Sequence, residues 1–582
     1  MPATNRRKFL KIAGLTAAST ALAACSTAPQ PVPTRTTAIP ARPTSPPATV
    51  EKPTLLPDPI LTADLPDLAV IVLNRLAFGP KPEDFERFNA LAGDPAARLA
   101  AYLDEQLNPD RIDDSAFETR LAAAGFETLQ KPITALYADH IVNNPYDDND
   151  DRHWQWFTLP ADETAEATFL RAVYSRKQLQ ELLADFWHNH FNVYGWHEEL
   201  APLFASYDRD AIRPHLFGNF RQFLETVTSH PSMLYYLDNR SNSDAGPNEN
   251  FARELFELHT LGAENYLGVR DPASVPRDAG GLATGFVDND IYEAARCFTG
   301  WRVADDQWEG EDDVERTGEF LYYKPWHDRF NKLILGRYIP ADQPDLQDGR
   351  QVLDLLAAHP GTAAYICRKL CIRFIGDNPP ESAVKAAAGV FLAQKDAPDQ
   401  LRQVYQTILT SPEFRQTWGA KIKRPFEQAA AMLRALNADF TRLPGGAAWT
   451  YQMMGEPLFG HHPPDGYADE APAWANTMST LYGWNLTVGI TENWWNEEEE
   501  GKQVLVDVWA QTPAELTTPA RLVDFWMQRI LGYSLTEAQR AAVIDFIAAG
   551  ADPDDNLSDE ERNSRLPGMV ELILMSPEFR LR

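Results

Sequence analysis

Two stretches of the chain combine the residue types from which a reactive site is built. The first is Asp185-Phe186-Trp187-His188-Asn189-His190-Phe191-Asn192-Val193. The second runs from Pro247 to Gly262 and carries Glu254, Glu257 and His259. Imidazole with carboxylate suits zinc, iron or manganese, and a nearby carboxylate such as Asp185 commonly orients a ligating histidine. One reading is therefore a divalent-metal or acid–base site, with His188, His190 and His259 as ligands and Asp185, Glu254 or Glu257 as catalytic carboxylates. The other is a structural polar core. Glu249–Arg253 and Arg253–Glu257 have the i,i+4 spacing of helical ion pairs, and buried histidines can satisfy backbone groups. There is no His-Glu-x-x-His run, Gly-rich phosphate loop or Gly-x-Ser-x-Gly elbow to narrow the chemistry.

Both stretches must be helices for these residues to work together. From Thr168 the pattern reads as one long helix in which Leu179, Leu183, Phe186, Trp187 and His190 form an apolar stripe. Glu181, Asp185 and His188 form a second stripe, so Asp185 is in reach of His188 at i,i+3. In an unbroken helix the rings of His188 and His190 point about 200° apart. Chelation of one ion by both requires the helix to end near Asn189, and Asn189 and Asn192 are candidates for that break. In the second stretch Pro247 and Gly262 bracket a helix, with Phe251, Leu255, Phe256 and Leu258 expected on the core face.

Other candidates have bland expectations. His327-Asp328 and the turn His461-His462-Pro463-Pro464-Asp465-Gly466-Tyr467 are secondary sites. Lys421, Lys423 and Arg424 read as a solvated helix start. The acidic runs at 147–151, 309–313 and 497–500 read as solvated loops. A calcium loop starting at Asp147 would need Gly and Glu where the chain has Arg152 and Thr158.

Apolar residues at three- and four-residue spacing recur from Leu65 onward, and alternating patterns are scarce, so the fold class is mainly α with little or no β-sheet. Leu409-Thr410-Ser411-Pro412-Glu413-Phe414-Arg415 is echoed by Leu574-Met575-Ser576-Pro577-Glu578-Phe579-Arg580. Arg373-Phe374-Ile375-Gly376 is likewise echoed by Arg529-Ile530-Leu531-Gly532. A helix-pair module used twice is expected, over about 365–415 and 522–580, with serine as the N-cap and proline in the first turn.

The first 25 residues read as an address. Asn5-Arg6-Arg7-Lys8-Phe9-Leu10-Lys11 has the look of a twin-arginine export signal, and Leu22-Ala23-Ala24-Cys25 resembles a lipobox whose cysteine is acylated. Residues 26–59 are rich in Pro, Thr and Ala, which suits an extended stalk, and 60–582 form the helical body. The expected location is the cell envelope, outside the cytoplasm, with membrane attachment through lipid at Cys25. The twin-arginine route carries folded proteins and so fits a metal inserted before export. With 83 Asp+Glu against 53 Lys+Arg among 582 residues, phosphate backbones would be repelled, and nucleic acid is not an expected partner. Cys297, Cys367 and Cys371 match no zinc or haem spacing.

Taken in order, Asn74 to Pro80, Tyr102 to Leu107, Asp185 to Val193, Arg213 to Phe220, Pro247 to Gly262, Glu293 to Trp301, Lys421 to Glu427 and Pro463 to Tyr467 resemble the bacterial family called domain of unknown function 1800. The resemblance implies export and, as a partner, a co-exported protein of the family of unknown function 1501; it implies no settled activity. Where that family usually has tryptophan and proline before the Pro-Pro turn, this chain has His461 and His462. Two functions follow from the residues and the resemblance together. One is a metal-dependent, hydrolase-like enzyme acting on envelope or extracellular material. The other is a non-enzymatic surface scaffold or binding partner.

Overall fold

Helices carry nearly all of the architecture in the computed structural model, which describes residues 65–147, 149–305, 314–497 and 505–582. The export signal, Cys25, the stalk and the acidic runs at 309–313 and 498–500 lie outside the described residues. Among the described residues there are two small antiparallel sheets. Trp301–Val303 pairs with Phe320–Tyr322, and Lys332–Ile334 with Arg337–Ile339. The described residues fall in one compact unit. No helix among the described residues is long and apolar enough to cross a membrane.

Five helices position the residues singled out above. Helix α1 spans Asp151–Tyr174, α2 Gln178–His190, α3 Glu249–Glu254, α4 Pro360–Phe374 and α5 Pro425–Ala435. The single long helix expected from Thr168 is instead two, because polar side chains take over the backbone at the joint. Buried Asp114 accepts from Ser175 Oγ and from the Arg176 amide, each at 2.7 Å. Gln178 then donates its side-chain amide to the Ser175 carbonyl at 2.7 Å. A helix whose backbone groups find such partners no longer gains by continuing.

Helix α2 runs through Asn189 and ends at His190, so the break that shared chelation requires does not fall between the two histidines. Its apolar stripe seats Trp187 in the main core, where the indole donates to the Tyr405 hydroxyl at 2.8 Å and packs on Phe191 and Phe223. Asn189 and Asn192 serve a different end. Asn189 exchanges two hydrogen bonds with the Tyr467 backbone, each 2.7 Å, and Asn192 donates to the carbonyls of His461 and Pro463. The turn at 461–467 is thereby clamped against α2. Gly466 makes the close approach possible: its φ is +74°, and a Cβ there would lie 2.1 Å from the Asn189 carbonyl oxygen.

The segment after α3 is wound as a wider π-turn, Leu255–His259, before Gly262 reverses the chain at φ +85°. Phe251, Leu255 and Phe256 are fully buried, as the spacing predicts, while Leu258 is half-buried. Helix α4 opens on His-Pro. The His359 ring accepts from the Gly361 amide at 2.9 Å and so caps the helix, and His230 caps Pro231–Tyr236 in the same way.

The two echoed segments share an element order of three helices and a short fourth, which is longer than a helix pair. The first copy is α4, Glu381–Ala393, Gln400–Leu409 and Pro412–Gln416. The second is Pro519–Leu531, Glu537–Ala548, Asp559–Leu574 and Pro577–Arg580. Ser411 and Ser576 accept from the Phe414 and Phe579 amides, so each closing helix is serine-capped.

Candidate functional site

The three histidines do not face one point. His188 Nε2 bonds to Asp208 Oδ1 at 2.9 Å and not to Asp185, whose Oδ2 serves Arg373 and Arg424. Asp208 also receives Arg213 and, more distantly, Arg171. Burial alone would raise the Asp208 carboxyl, but Arg213, His188 and Arg171 overcome it and hold the group far below the usual carboxylate range. His190 Nε2 lies 3.1 Å from the His259 carbonyl, and its Nδ1 lies 3.1 Å from Lys369 Nζ. Because a carbonyl only accepts, Nε2 carries the proton and Nδ1 is the bare nitrogen. His259 is buried, its Nε2 has no hydrogen-bond partner, and burial pushes its pKa down to about 3. The His190 and His259 ring centres are 6.2 Å apart. Among the described residues no three His, Cys, Asp or Glu side chains are grouped so that they could hold a metal ion. The chelate expected of His188, His190 and His259 is therefore not assembled, because an unbroken α2 sends its two rings to opposite sides.

The carboxylates separate as well. Glu257 meets Arg253 at 3.2 Å and Glu249 meets it at 3.4 Å, the helical ion pairs of the structural reading. Glu254 is half-buried, which raises its carboxyl, and the neighbouring Glu257 adds to that rise. Asp185 sits elsewhere: its Oδ2 accepts from both Arg373, at 3.1 Å, and Arg424.

That Asp185 contact opens into a buried ion network that sequence reasoning missed. Lys421, Lys423 and Arg424, expected at a solvated helix start, are 2–3% exposed. Glu427 stands at the centre. Its Oε1 pairs with Arg373 and with Arg582, each at 2.7 Å, and its Oε2 accepts from the Arg424 amide at the start of α5. Burial would raise this carboxyl, but Arg373, Arg582 and Arg424 bring it down to about 2. Asp469 lies between Lys421, Arg373 and Arg424, which hold it well below its ordinary value against the effect of burial. Glu456 accepts from the Phe426 amide and meets Arg424 at 3.3 Å, yet burial pushes it up to about 7.

A cavity of about 350 Å³ opens on this network between α2, α4 and the loop 465–470. Its lining includes Lys369, Arg373 and Arg424 together with Asp465, Asp469 and Glu470. Beside it a pocket of about 20 Å³, room for roughly one water, touches Asp185, Glu456 and His188. His461 reaches the cavity but is paired with Asp465 at 2.8 Å, while His462 is exposed. His327, the other secondary candidate, is buried against Asp348 and the Thr299 carbonyl.

Lys369 stands apart within this set. Among the described residues this half-buried lysine has no ion pair, its polar partner is the neutral His190, and burial brings its pKa down to about 8 against the pull of Asp469, Glu470, Asp465 and Glu264. One signal in the chain could have found it. Aligning the two echoed segments on Arg373 and Arg529 sets Lys369 opposite Phe525, a lysine in a slot that its duplicate fills with an aromatic ring.

Fold and site together define a mainly helical protein with a charged cavity built on a buried ion network. The chain belongs to the family described as a protein of unknown function (DUF1800), whose model matches residues 71–581. No curated protein and no solved structure matches it.

The network predicts a sharp contrast between carboxylates. Glu427→Gln leaves Arg373 and Arg582 buried without their shared anion and should cost about 3–5 kcal/mol. Glu257→Gln removes a half-exposed pair and should stay within about 0.5 kcal/mol. Denaturant unfolding of both variants measures the difference.

Proposed function

We propose that the protein is an envelope protein, tethered by lipid at Cys25, whose helical body binds a small anionic molecule in the cavity between α2 and α4. The observation that carries the binding reading is Lys369: a half-buried cation on the cavity wall with no carboxylate within ion-pair distance among the described residues, one helical turn from Arg373. A charged group in a desolvated site gains most from a counter-charge delivered by a ligand. The location rests on the twin-arginine-like Asn5–Lys11 and the lipobox-like Leu22–Cys25. The metal-dependent hydrolase reading draws no support from the histidines: the His188 ring serves Asp208, the His190 ring serves the His259 carbonyl, and among the described residues no group of three ligands is assembled.

A second reading has its own observation. Met478, Leu481 and Trp484 lie at three-residue spacing along the helix Thr477–Thr491 and are exposed, as is Trp449 nearby. Such a patch suits a protein partner, for which the co-exported family of unknown function 1501 is the candidate.

Two experiments test the main reading. Cys25→Ala should move the protein from the membrane fraction to the soluble extracytoplasmic fraction; retention in the membrane would refute the anchor. In calorimetry at low salt, lactate should bind the wild-type protein and lose about tenfold in affinity, near 1.4 kcal/mol, in Lys369→Met. Equal binding by both proteins, or none by either, would refute the pocket assignment.

A further inference from the structure

Every other basic group on the cavity wall is already engaged. Arg373 meets Asp185 and Glu427, and Arg424 meets Asp185 and Glu456. Lys369 faces an imidazole instead. Since His190 commits its N–H to the His259 carbonyl, its Nδ1 presents a lone pair to the amine and can orient it without charging it. The Tyr365 ring, 5.5 Å from Nζ, closes another side. With its pKa brought down to about 8, roughly a tenth of the Lys369 amine is neutral near pH 7, against less than about a thousandth for an ordinary lysine. A neutral, oriented amine in a cavity is a nucleophile.

We propose that Lys369 is a covalent site, forming an imine with a small 2-oxo acid held in the cavity between α2 and α4. The proposal rests on the anion-binding reading above. Arg373 follows Lys369 by one turn on the same face of α4 and also lines the cavity, so a carboxylate bonded directly to the carbonyl carbon would meet a guanidinium already shared among Asp185, Glu427 and Asp469, with Lys369 as its unshared cation. The Nζ lone pair adds to the carbonyl carbon, and the π electrons of the carbonyl bond move onto oxygen. A proton passes from nitrogen to oxygen through cavity water to give the carbinolamine. The oxygen takes up a second proton from water and leaves as water, and nitrogen returns a proton as the carbon–nitrogen double bond forms. One water is released for each imine, and nothing is oxidised or reduced.

The test uses the full chain with pyruvate and cyanoborohydride, which reduces an imine to a stable secondary amine. Peptide mass spectrometry locates the modified lysines, and lactate binding is followed in parallel by calorimetry. Lys369 should be modified at least about tenfold faster than any other lysine, and Lys369→Arg should abolish that fast labelling. If lactate binds but labelling is spread over surface lysines, the imine is refuted while the anion site stands. If lactate fails to bind and Lys369 is not singled out, both fall. The wild-type protein alone decides between these outcomes, so the test survives a variant that does not fold.

Discussion

Buried guanidinium groups set the terms of this structure. Arg373, Arg424 and Arg582 are each about 2% exposed, and a charge taken that far from water must be met by an opposite one. Glu427 meets two of them, and its other oxygen receives the Arg424 amide at the head of α5. One carboxylate therefore joins the first helix of one echoed segment to the last residue beyond the other. The chain end is drawn in by the same logic: Lys423 Nζ donates to the carbonyls of Phe579 and Leu581, and the Arg582 amide donates to the Lys421 carbonyl. Replacing such a network by apolar side chains could be as stable. What the ionic version adds is register, since each guanidinium admits few carboxylate geometries.

The histidines in this fold mostly act as neutral polar groups. His230 and His359 cap helices with a bare Nδ1, His190 bonds a backbone carbonyl, and burial lowers all three below the ordinary imidazole range. A capping imidazole must stay unprotonated to accept, so burial and role agree. At Lys369 the same neutrality presents a bare nitrogen to the amine in place of a second positive charge. Structural histidine chemistry and the reactive character of the lysine are thus one arrangement seen from its two ends.

Much of the fold could be read from local pattern. Three- and four-residue spacing identified the helical class, His190 was placed on the packed face, and the Arg253 pairs lie within one helix. The errors share a cause. The split between α1 and α2 depends on Asp114, some 60 residues away, and the clamp on Asn189 comes from Tyr467. Lys421 to Arg424 look solvated until Asp185, Asp377 and Asp469 fold over them. Burial of charge is decided by partners far along the chain, and helical periodicity carries no record of them. Lys369 was readable only by comparing the echoed segments position by position, since within α4 it borders an ordinary apolar stripe.

Packing leaves Lys369 desolvated and outside ion-pair distance of any described carboxylate, a state that its own titration reports. Trace acetylation of the intact protein across a pH series, with the Lys369 peptide followed by mass spectrometry, reports the pKa of that one amine. The account predicts a midpoint near 8, where burial brings it. A midpoint at the ordinary lysine value of about 10.4 would contradict it.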